Sequence, residues 1–252
     1  MTWSKTYAGA EPQRVNKWLA GEGVCSRREA EDLIAKGQVW IDGERVDDPG
    51  RKILPGQRIE VGASQAAPKI SAVINKPVGV VSAQPEGDQI PAVRLLTKAS
   101  LIGKADALPT KTTSLPPLGR LDQDSRGLLL LSEDGVLAKA VIGPESKLDK
   151  EYLVRVAGPV TDRKLALLRH GLSLDGRTLK PAKIEQIEPQ RLRFTLVEGR
   201  NRQIRRMCEL VDLDVTDLYR IRIGPLKIGD LPEGKWRALT DAERAAMIRA
   251  SK

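Results

Sequence analysis

GRLDQDSRGLLLLSEDG, residues 119–135, predicts a loop that leads into a buried strand. Pro116 and Pro117 precede it and prevent a helix, and its glycines favour a loop. Residues 128–131 form an apolar run that is typical of a strand covered on both faces. A loop held by such a strand is well placed to present a side chain to a ligand. We therefore expect the Asp122 carboxylate to belong to a functional site.

Two other interpretations apply to the same loop. Asp122 and Asp124 are common turn formers, so a purely structural role remains open here. Together with Gly127 and Glu133 they also match the spacing of an EF-hand calcium loop. However, the two prolines prevent the entering helix, and Arg126 would place a cation where an oxygen ligand is needed. We expect no calcium, and no other metal, at this loop.

The composition favours a globular protein with an anionic partner. The chain has 252 residues, of which 40% are apolar, which is enough to bury a core. Its net charge of +9 and pI of about 9.6 favour nucleic acid over a membrane as the partner. No apolar run approaches the roughly 18 residues of a membrane span. The first residues lack an apolar signal segment, so we expect a cytoplasmic protein without membrane association.

Cysteine and histidine are too scarce for several kinds of site. Cys25 and Cys208 are the two cysteines, and His170 is the single histidine. Two cysteines suggest free, structural thiols rather than a disulfide framework or a cysteine zinc site. One histidine excludes histidine-rich metal sites and argues against a Ser-His-Asp triad.

The N-terminal part predicts a compact unit of two helices followed by short strands, over residues 12–62. Residues 13–20 have a helical apolar period, and Ser26 and Glu29 have capping-box spacing before a second helix. Arg27 and Arg28 lie at that helix start, where free amides favour an anion, although a solvated helix end is the alternative. The candidate RNA contacts of this unit are Arg14, Lys17, Arg27 and Arg28.

The rest of the chain predicts a second domain of mixed α and β structure. Residues 63–69 have the composition of a linker, and residues 70–252 form the domain. Lys76 lies at the end of a predicted strand and is a candidate phosphate contact. Tyr152 lies on another predicted strand, residues 150–156. Residues 103–117 predict a surface loop, which we expect to contact RNA.

A run of arginines follows the predicted strand at residues 193–197. An arginine cluster is often a solvated face, but one that follows a glycine and begins an apolar helix suits phosphate binding. The members of this cluster are Arg200, Arg202, Arg205 and Arg206.

Several motifs in order resemble a known family. The N-terminal segments resemble an S4 RNA-binding domain: RVNKWL (14–19), SRREA (26–30), VWIDG (39–43) and GQRI (56–59). The later segments resemble the RsuA/RluF family of ribosomal RNA pseudouridine synthases: NKPVG (75–79), GRLD (119–122) through GL (127–128), KEY (150–152) and NRQIRRMCE (201–209). The resemblance extends over nearly the whole chain.

The resemblance implies an α+β fold, an S4 domain linked to a catalytic domain with a central, mainly antiparallel sheet. It implies an isomerase that breaks the C1'–N1 bond of a uridine, turns the uracil and rejoins it through C5, without a cofactor. Asp122 would be the nucleophile, attacking either the uracil ring or the sugar. The other implied roles are a cation that pairs with Asp122 (Arg205), an aromatic ring that stacks on the target base (Tyr152), an apolar floor (Ile204), and a side chain that fills the space of the flipped base (Arg120). Further candidate substrate contacts are Lys76 and Arg202.

The substrate that the resemblance favours is large-subunit ribosomal RNA, because residues 205–209 and 218–220 are more similar to the RluF branch. Small-subunit RNA or transfer RNA remain alternatives for the same reaction. An inactive RNA-binding assembly factor is the alternative of a different class, and a DNA-binding protein is a weaker one. We expect a monomer.

Overall fold

The computed structural model describes residues 3–62, 70–110, 113, 115–170 and 172–251. The predicted linker, residues 63–69, lies outside the described residues, as do positions 111, 112 and 114 of the predicted loop. The described part of residues 103–117 contains no helix or strand. The chain divides into two compact units. One holds the described residues before Ile70 together with Asp134–Lys139, and the other holds the remaining described residues.

The chain before Ile70 contains two helices and six short strands among its described residues. They are β1 (Trp3–Thr6), β2 (Gln13–Arg14), α1 (Val15–Gly21), α2 (Arg27–Ala35), β3 (Val39–Ile41), β4 (Glu44–Arg45), β5 (Lys52–Ile53) and β6 (Arg58–Val61). The main sheet has the order β1-β6-β3-β4 and is antiparallel.

The predicted capping box begins α2. The amide of Glu29 donates to the Ser26 hydroxyl at 3.3 Å, and the amide of Ser26 donates to the Glu29 carboxylate at 2.6 Å. Gly37 follows the helix with a positive φ of 65°, which a glycine adopts without strain. The apolar faces of α1 and α2 bury Trp18, Leu19 and Ile34 in one core with the strands. The start and end of α2 and the apolar faces of both helices therefore follow local sequence signals.

The chain from Ile70 onward contains the larger sheet. Its elements are β7 (Ser71–Lys76), two 3-10 turns (Ala92–Leu95 and Lys98–Ser100), β8 (Arg126–Ser132), α3 (Gly135–Ile142), β9 (Lys150–Ala157), α4 (Asp162–Arg169), β10 (Ser173–Leu174), β11 (Arg177–Thr178), β12 (Lys183–Glu188), β13 (Arg191–Leu196), α5 (Gln203–Glu209), β14 (Asp214–Ile223), β15 (Leu226–Lys227), β16 (Trp236–Ala238) and α6 (Asp241–Ala250).

The sheet order is β12-β13-β9-β14-β8-β7-β16, with β15 beside β14. Its pairs are antiparallel except β14 with β8, which confirms the predicted mainly antiparallel sheet. The leucines of β8 are fully buried because this strand lies between β7 and β14 and is covered on both faces. β8 therefore holds the loop before it on a rigid, central element.

A close backbone approach occurs where β8 begins. Gly127 has a φ of +108° and pairs in parallel with Arg220 on β14. A Cβ atom there would collide with the carbonyl oxygen of Arg220 and lie 2.8 Å from its nitrogen. Only glycine fits this position, which joins the start of β8 to β14.

Among the described residues, no helix combines the length and apolar character that crossing a membrane requires.

Candidate active site

The loop that carries Asp122 is fixed on both sides of that residue. The Ser82 hydroxyl donates to the carbonyl oxygen of Leu121 at 2.7 Å and accepts from the amide of Leu121 at 2.8 Å. On the other side, the amide of Gly79 donates to the carbonyl oxygen of Gln123 at 2.8 Å, and Gln123 Nε2 donates back to Gly79 at 3.1 Å. The Asp122 side chain between them is 38% exposed. The chain thus presents an accessible carboxylate on a fixed backbone.

Two arginines at the start of α5 face this loop. Arg202 Nη1 lies 3.6 Å from Asp122 Oδ2, and the Arg202 guanidinium donates two hydrogen bonds of 3.3 and 2.9 Å to Asp124. Arg205 Nε lies 3.2 Å from Asp124 Oδ2. The expectation that Arg205 pairs with Asp122 is therefore wrong for this structure. Arg205 also donates to the Asp124 carbonyl oxygen at 2.8 Å, so the nearer carboxylate is that of Asp124.

Arg202 reaches both carboxylates from an unusual backbone conformation. It directly precedes α5 with φ 47° and ψ 33°, in the left-handed region that non-glycine residues seldom adopt. Such strain persists only where surrounding interactions compensate for it. Here the two hydrogen bonds to Asp124 supply part of that compensation.

Asp124 is a site residue whose role the sequence did not reveal. Partial burial alone would raise the pKa of Asp124. The hydrogen bond from Arg202 and the charges of Arg205 and Arg202 outweigh that effect and hold its pKa below the usual range. Asp124 is therefore ionised at neutral pH. Its spacing from Asp122 was the available signal, but aspartates are too common in loops for spacing alone to be decisive.

Two buried cations support the same loop. Lys76 is 0% exposed, and its ammonium donates to the carbonyl oxygens of Val80 at 2.7 Å and Pro77 at 2.9 Å. Burial lowers the pKa of Lys76 to about 8, although the nearby carboxylates of Asp122 and Asp124 act in the opposite direction. The predicted phosphate contact is wrong for Lys76, because its charged group has no exposed surface and is bonded to its own loop.

Arg220 is the second buried cation and is 1% exposed. Its Nε donates to the carbonyl oxygen of Leu128 at 2.7 Å, and its Nη1 donates to that of Arg120 at 3.1 Å. Arg220 thus ties β14 to β8 and to the loop before Asp122. The Arg120 side chain itself is exposed, as its predicted role requires.

Tyr152 and Ile204, the predicted stacking ring and apolar floor, pack into the apolar core. Tyr152 on β9 is half-buried and packs against two apolar clusters, one that includes Leu121 and one that includes Ile204. Ile204 is 4% exposed. One of the clusters that Tyr152 packs against thus contains the residue before Asp122, and the other contains the predicted apolar floor.

Arg200 and Arg206 hold a neighbouring hairpin. Arg200 donates to the carbonyl oxygens of three residues of β10 and β11, at 2.9 to 3.1 Å; these are Leu174, Arg177 and Thr178. Arg206 forms a two-pronged ion pair with Asp175, with hydrogen bonds of 2.6 and 3.0 Å. Both arginines thus bind groups within the chain in this structure, and their predicted contacts with RNA stay a prediction.

The first unit carries a separate basic groove of about 520 Å³. Its lining includes Arg14, Lys17 and Arg27, as well as Lys52 on β5. All four side chains are exposed, whereas Glu31 on the same groove accepts a hydrogen bond of 2.9 Å from Asn16. Arg28 is exposed beside the groove-lining Arg27. Four cations around one acid form a surface suited to the phosphates of a nucleic acid.

The sequence pattern of the RNA pseudouridylate synthases matches residues 70–210, and that of the S4 domain matches residues 13–59. The first match extends over more than half of the chain. It contains the loop that carries Asp122, the strands β8 and β9, and the helix α5. The chain belongs to the RNA pseudouridine synthase family.

Individual members of the family agree with this assignment. The chain is 36% identical to the "Dual-specificity RNA pseudouridine synthase RluF" of Salmonella typhi, over 91% of this chain and 76% of that protein. It is 35% identical to an "Uncharacterized RNA pseudouridine synthase" of Aquifex aeolicus, over 94% of each chain. A crystal structure of a pseudouridylate synthase superimposes with a TM-score of 0.63, at 27% identity, over 93% of this chain and 99% of that one.

These relatives confirm the predicted family and fold. The enzyme is an isomerase, a pseudouridine synthase of the RluF type that acts on RNA and carries an S4 RNA-binding domain.

Proposed function

We propose that this pseudouridine synthase converts a uridine of large-subunit ribosomal RNA into pseudouridine, with Asp122 as the nucleophile. The observation that carries the proposal is the fixed, accessible carboxylate of Asp122, which lies 3.6 Å from Nη1 of Arg202. In covalent catalysis by a carboxylate, one carboxylate oxygen must reach the substrate, and the 38% exposure of the Asp122 side chain allows this.

The reaction needs only groups that the chain carries. The C1'–N1 bond breaks and a C1'–C5 bond forms; C5 loses a proton and N1 gains one, so the atoms and electrons balance without a co-reactant. The target base must leave its stack, which costs a few kcal/mol. Stacking on Tyr152 and apolar contact with Ile204 would offset that cost, and Arg120 would fill the vacated space.

The large-subunit substrate is supported by similarity to the RluF relatives rather than by geometry. Those relatives are named dual-specificity enzymes, so a second class of RNA is one outcome that the experiment must be able to detect. We also propose that the enzyme is a monomer.

Asp122→Asn tests the proposed nucleophile. The amide preserves the shape of the side chain but cannot act as an anionic nucleophile. Turnover should fall by at least about a thousandfold, while affinity for RNA stays within several-fold. The measurements are single-turnover conversion of purified RNA and mapping of pseudouridine in ribosomal and transfer RNA from cells that lack the protein, complemented with wild type or variant.

Asp212→Asn, at an exposed position with a positive φ that asparagine also tolerates, is the matched control and should behave as wild type. Loss of one large-subunit pseudouridine, restored by wild type alone, supports the proposal. Unchanged ribosomal RNA would contradict the proposed substrate, and full turnover by Asp122→Asn would contradict the proposed nucleophile.

A further inference from the structure

The carboxylate in closest contact with both arginines of the site is not Asp122. Arg202 donates to both oxygens of Asp124, at 3.3 and 2.9 Å, and Arg205 Nε lies 3.2 Å from Asp124 Oδ2. The contact of Arg202 with Asp122 is longer, at 3.6 Å. Asp124 therefore receives the direct hydrogen bonds from Arg202, and Asp122 experiences the same cation at a greater distance.

Arg205 is itself held firmly. Its Nη1 donates to the carbonyl oxygen of Val215 on β14 at 3.0 Å, and its Nη2 donates to the carbonyl oxygen of Asp124 at 2.8 Å and to Ser125 Oγ at 3.3 Å. The Arg205 side chain is 10% exposed. Asp124 thus binds this buried guanidinium through both its backbone and its carboxylate, which fixes the end of the Asp122 loop to β14.

This arrangement separates two requirements of a nucleophilic carboxylate. It must be ionised, which nearby cations favour, and it must keep an oxygen lone pair free for attack. Direct hydrogen bonds from two guanidinium groups would satisfy the first requirement and obstruct the second. Asp124 accepts hydrogen bonds from Nη1 and Nη2 of Arg202, while Asp122 keeps the same cation 3.6 Å away.

We propose that Asp124 is a positioning residue that holds Arg202 beside Asp122 and keeps the hydrogen bonds of Arg202 off the Asp122 carboxylate. The inference rests on the proposed role of Asp122 as nucleophile. Asp124 acts through Arg202 and does not touch the reacting atoms.

Asp124→Asn tests the inference, because the amide keeps the size of the side chain but loses the charge that holds the Arg202 guanidinium away from Asp122. The rate of the single-turnover step should fall by about 10- to 100-fold, the size of effect that misplacement of catalytic groups causes. Affinity for the same RNA should stay within about threefold, since the change affects the chemical step. Asp124→Glu, which retains the charge, should restore part of the rate.

Asp175→Asn is the matched control. Arg206 lies on α5, as Arg205 does, and Asp175 is its two-pronged ion-pair partner. The variant removes the charge of this partner, whose side chain is 69% exposed. Its rate should stay within about twofold of wild type, since that ion pair lies on the surface. Thermal unfolding of each variant shows whether a lower rate reflects a smaller folded fraction.

A double-mutant cycle distinguishes positioning from general destabilisation. If Asp124 acts by holding Arg202, then Asp124→Asn should reduce the rate much less in an Arg202→Gln background than in wild type. A structural effect alone would be additive. Additive losses, a wild-type rate for Asp124→Asn, or an equal loss in Asp175→Asn would each overturn the inference.

The same experiments separate this inference from the proposed function. If Asp122→Asn is inactive and Asp124→Asn has the wild-type rate, only the positioning role is wrong. If Asp122→Asn turns over and Asp124→Asn does not, the nucleophile was assigned to the wrong carboxylate.

Discussion

At the scale of single residues, Lys76 shows how burial changes a titration. The folded protein lowers the pKa of this ammonium from 10.5 to about 8, because it is removed from water and Arg220 lies near, despite the opposing charges of Asp122, Asp124 and Glu233. Between these two values the unfolded chain binds more protons than the folded protein. The contribution of Lys76 to the free energy of unfolding must therefore rise with pH from about 8 to 10.5 and is least favourable below pH 8.

Lys76→Met removes this titration. The free energy of unfolding of wild type minus that of the variant should increase as the pH is raised from 8 toward 10, whatever constant cost the variant incurs by losing its two hydrogen bonds to the loop. Urea unfolding of both proteins at pH 7, 8, 9 and 10, at roughly constant ionic strength, measures the difference. Parallel curves would show that Lys76 keeps an ordinary pKa.

At the scale of elements, the parallel contact between β8 and β14 depends on Gly127. Gly127→Ala would force a Cβ into the backbone of Arg220 at a φ of +108°, so one of the strands must shift. We expect a loss of more than about 3 kcal/mol in the free energy of unfolding, measured by denaturant, because backbone on both sides prevents a cheap adjustment.

Gly176→Ala is the matched control for that change. Gly176 also has a positive φ, of 71°, but a Cβ there meets nothing within 4 Å. Gly176→Ala should lower the free energy of unfolding by only about 1–2 kcal/mol, through backbone strain. Equal losses at the two glycines would mean that conformation, rather than the close approach of β14, makes glycine necessary at position 127.

At the scale of the whole molecule, RNA affinity should depend on the basic groove of the first unit. The triple variant Arg14→Gln, Lys17→Gln, Arg27→Gln removes three of its exposed cations. The slope of log affinity against log salt concentration should become shallower by roughly 2 to 3, since each phosphate contact contributes about 0.7 to 0.9. The rate at saturating RNA should not change. Filter binding at several salt concentrations gives the slope.

A second triple variant, Lys36→Gln, Arg45→Gln, Arg51→Gln, separates local contact from total charge. These exposed residues belong to the same unit but do not line the groove, and the change in net charge is the same. It should leave the salt dependence close to that of wild type. An equal effect of the two variants would indicate attraction by net charge alone.

Much of the fold could be predicted because its signals are local. These signals act through contacts between residues a few positions apart or through burial alone. Examples are the capping box at Ser26, the glycine after α2 and the leucines of β8. The sequence did not predict β12. Most positions of its sequence KIEQIE are exposed, so it lacks the alternation of apolar and polar residues by which a strand is recognised. It is a strand because it pairs with β13.

Short motifs in the sequence were enough to identify the family and to name Asp122, Tyr152 and Ile204 as candidate site residues. Which charges meet became visible in the folded protein alone. Asp124 and Arg205 are 81 residues apart in the sequence, so no local motif contains both of them. Lys76 is fully buried in the folded protein, which its position in the sequence did not indicate. The physical reason is that ion pairs and desolvation depend on distance in space, which residue type and local spacing do not specify.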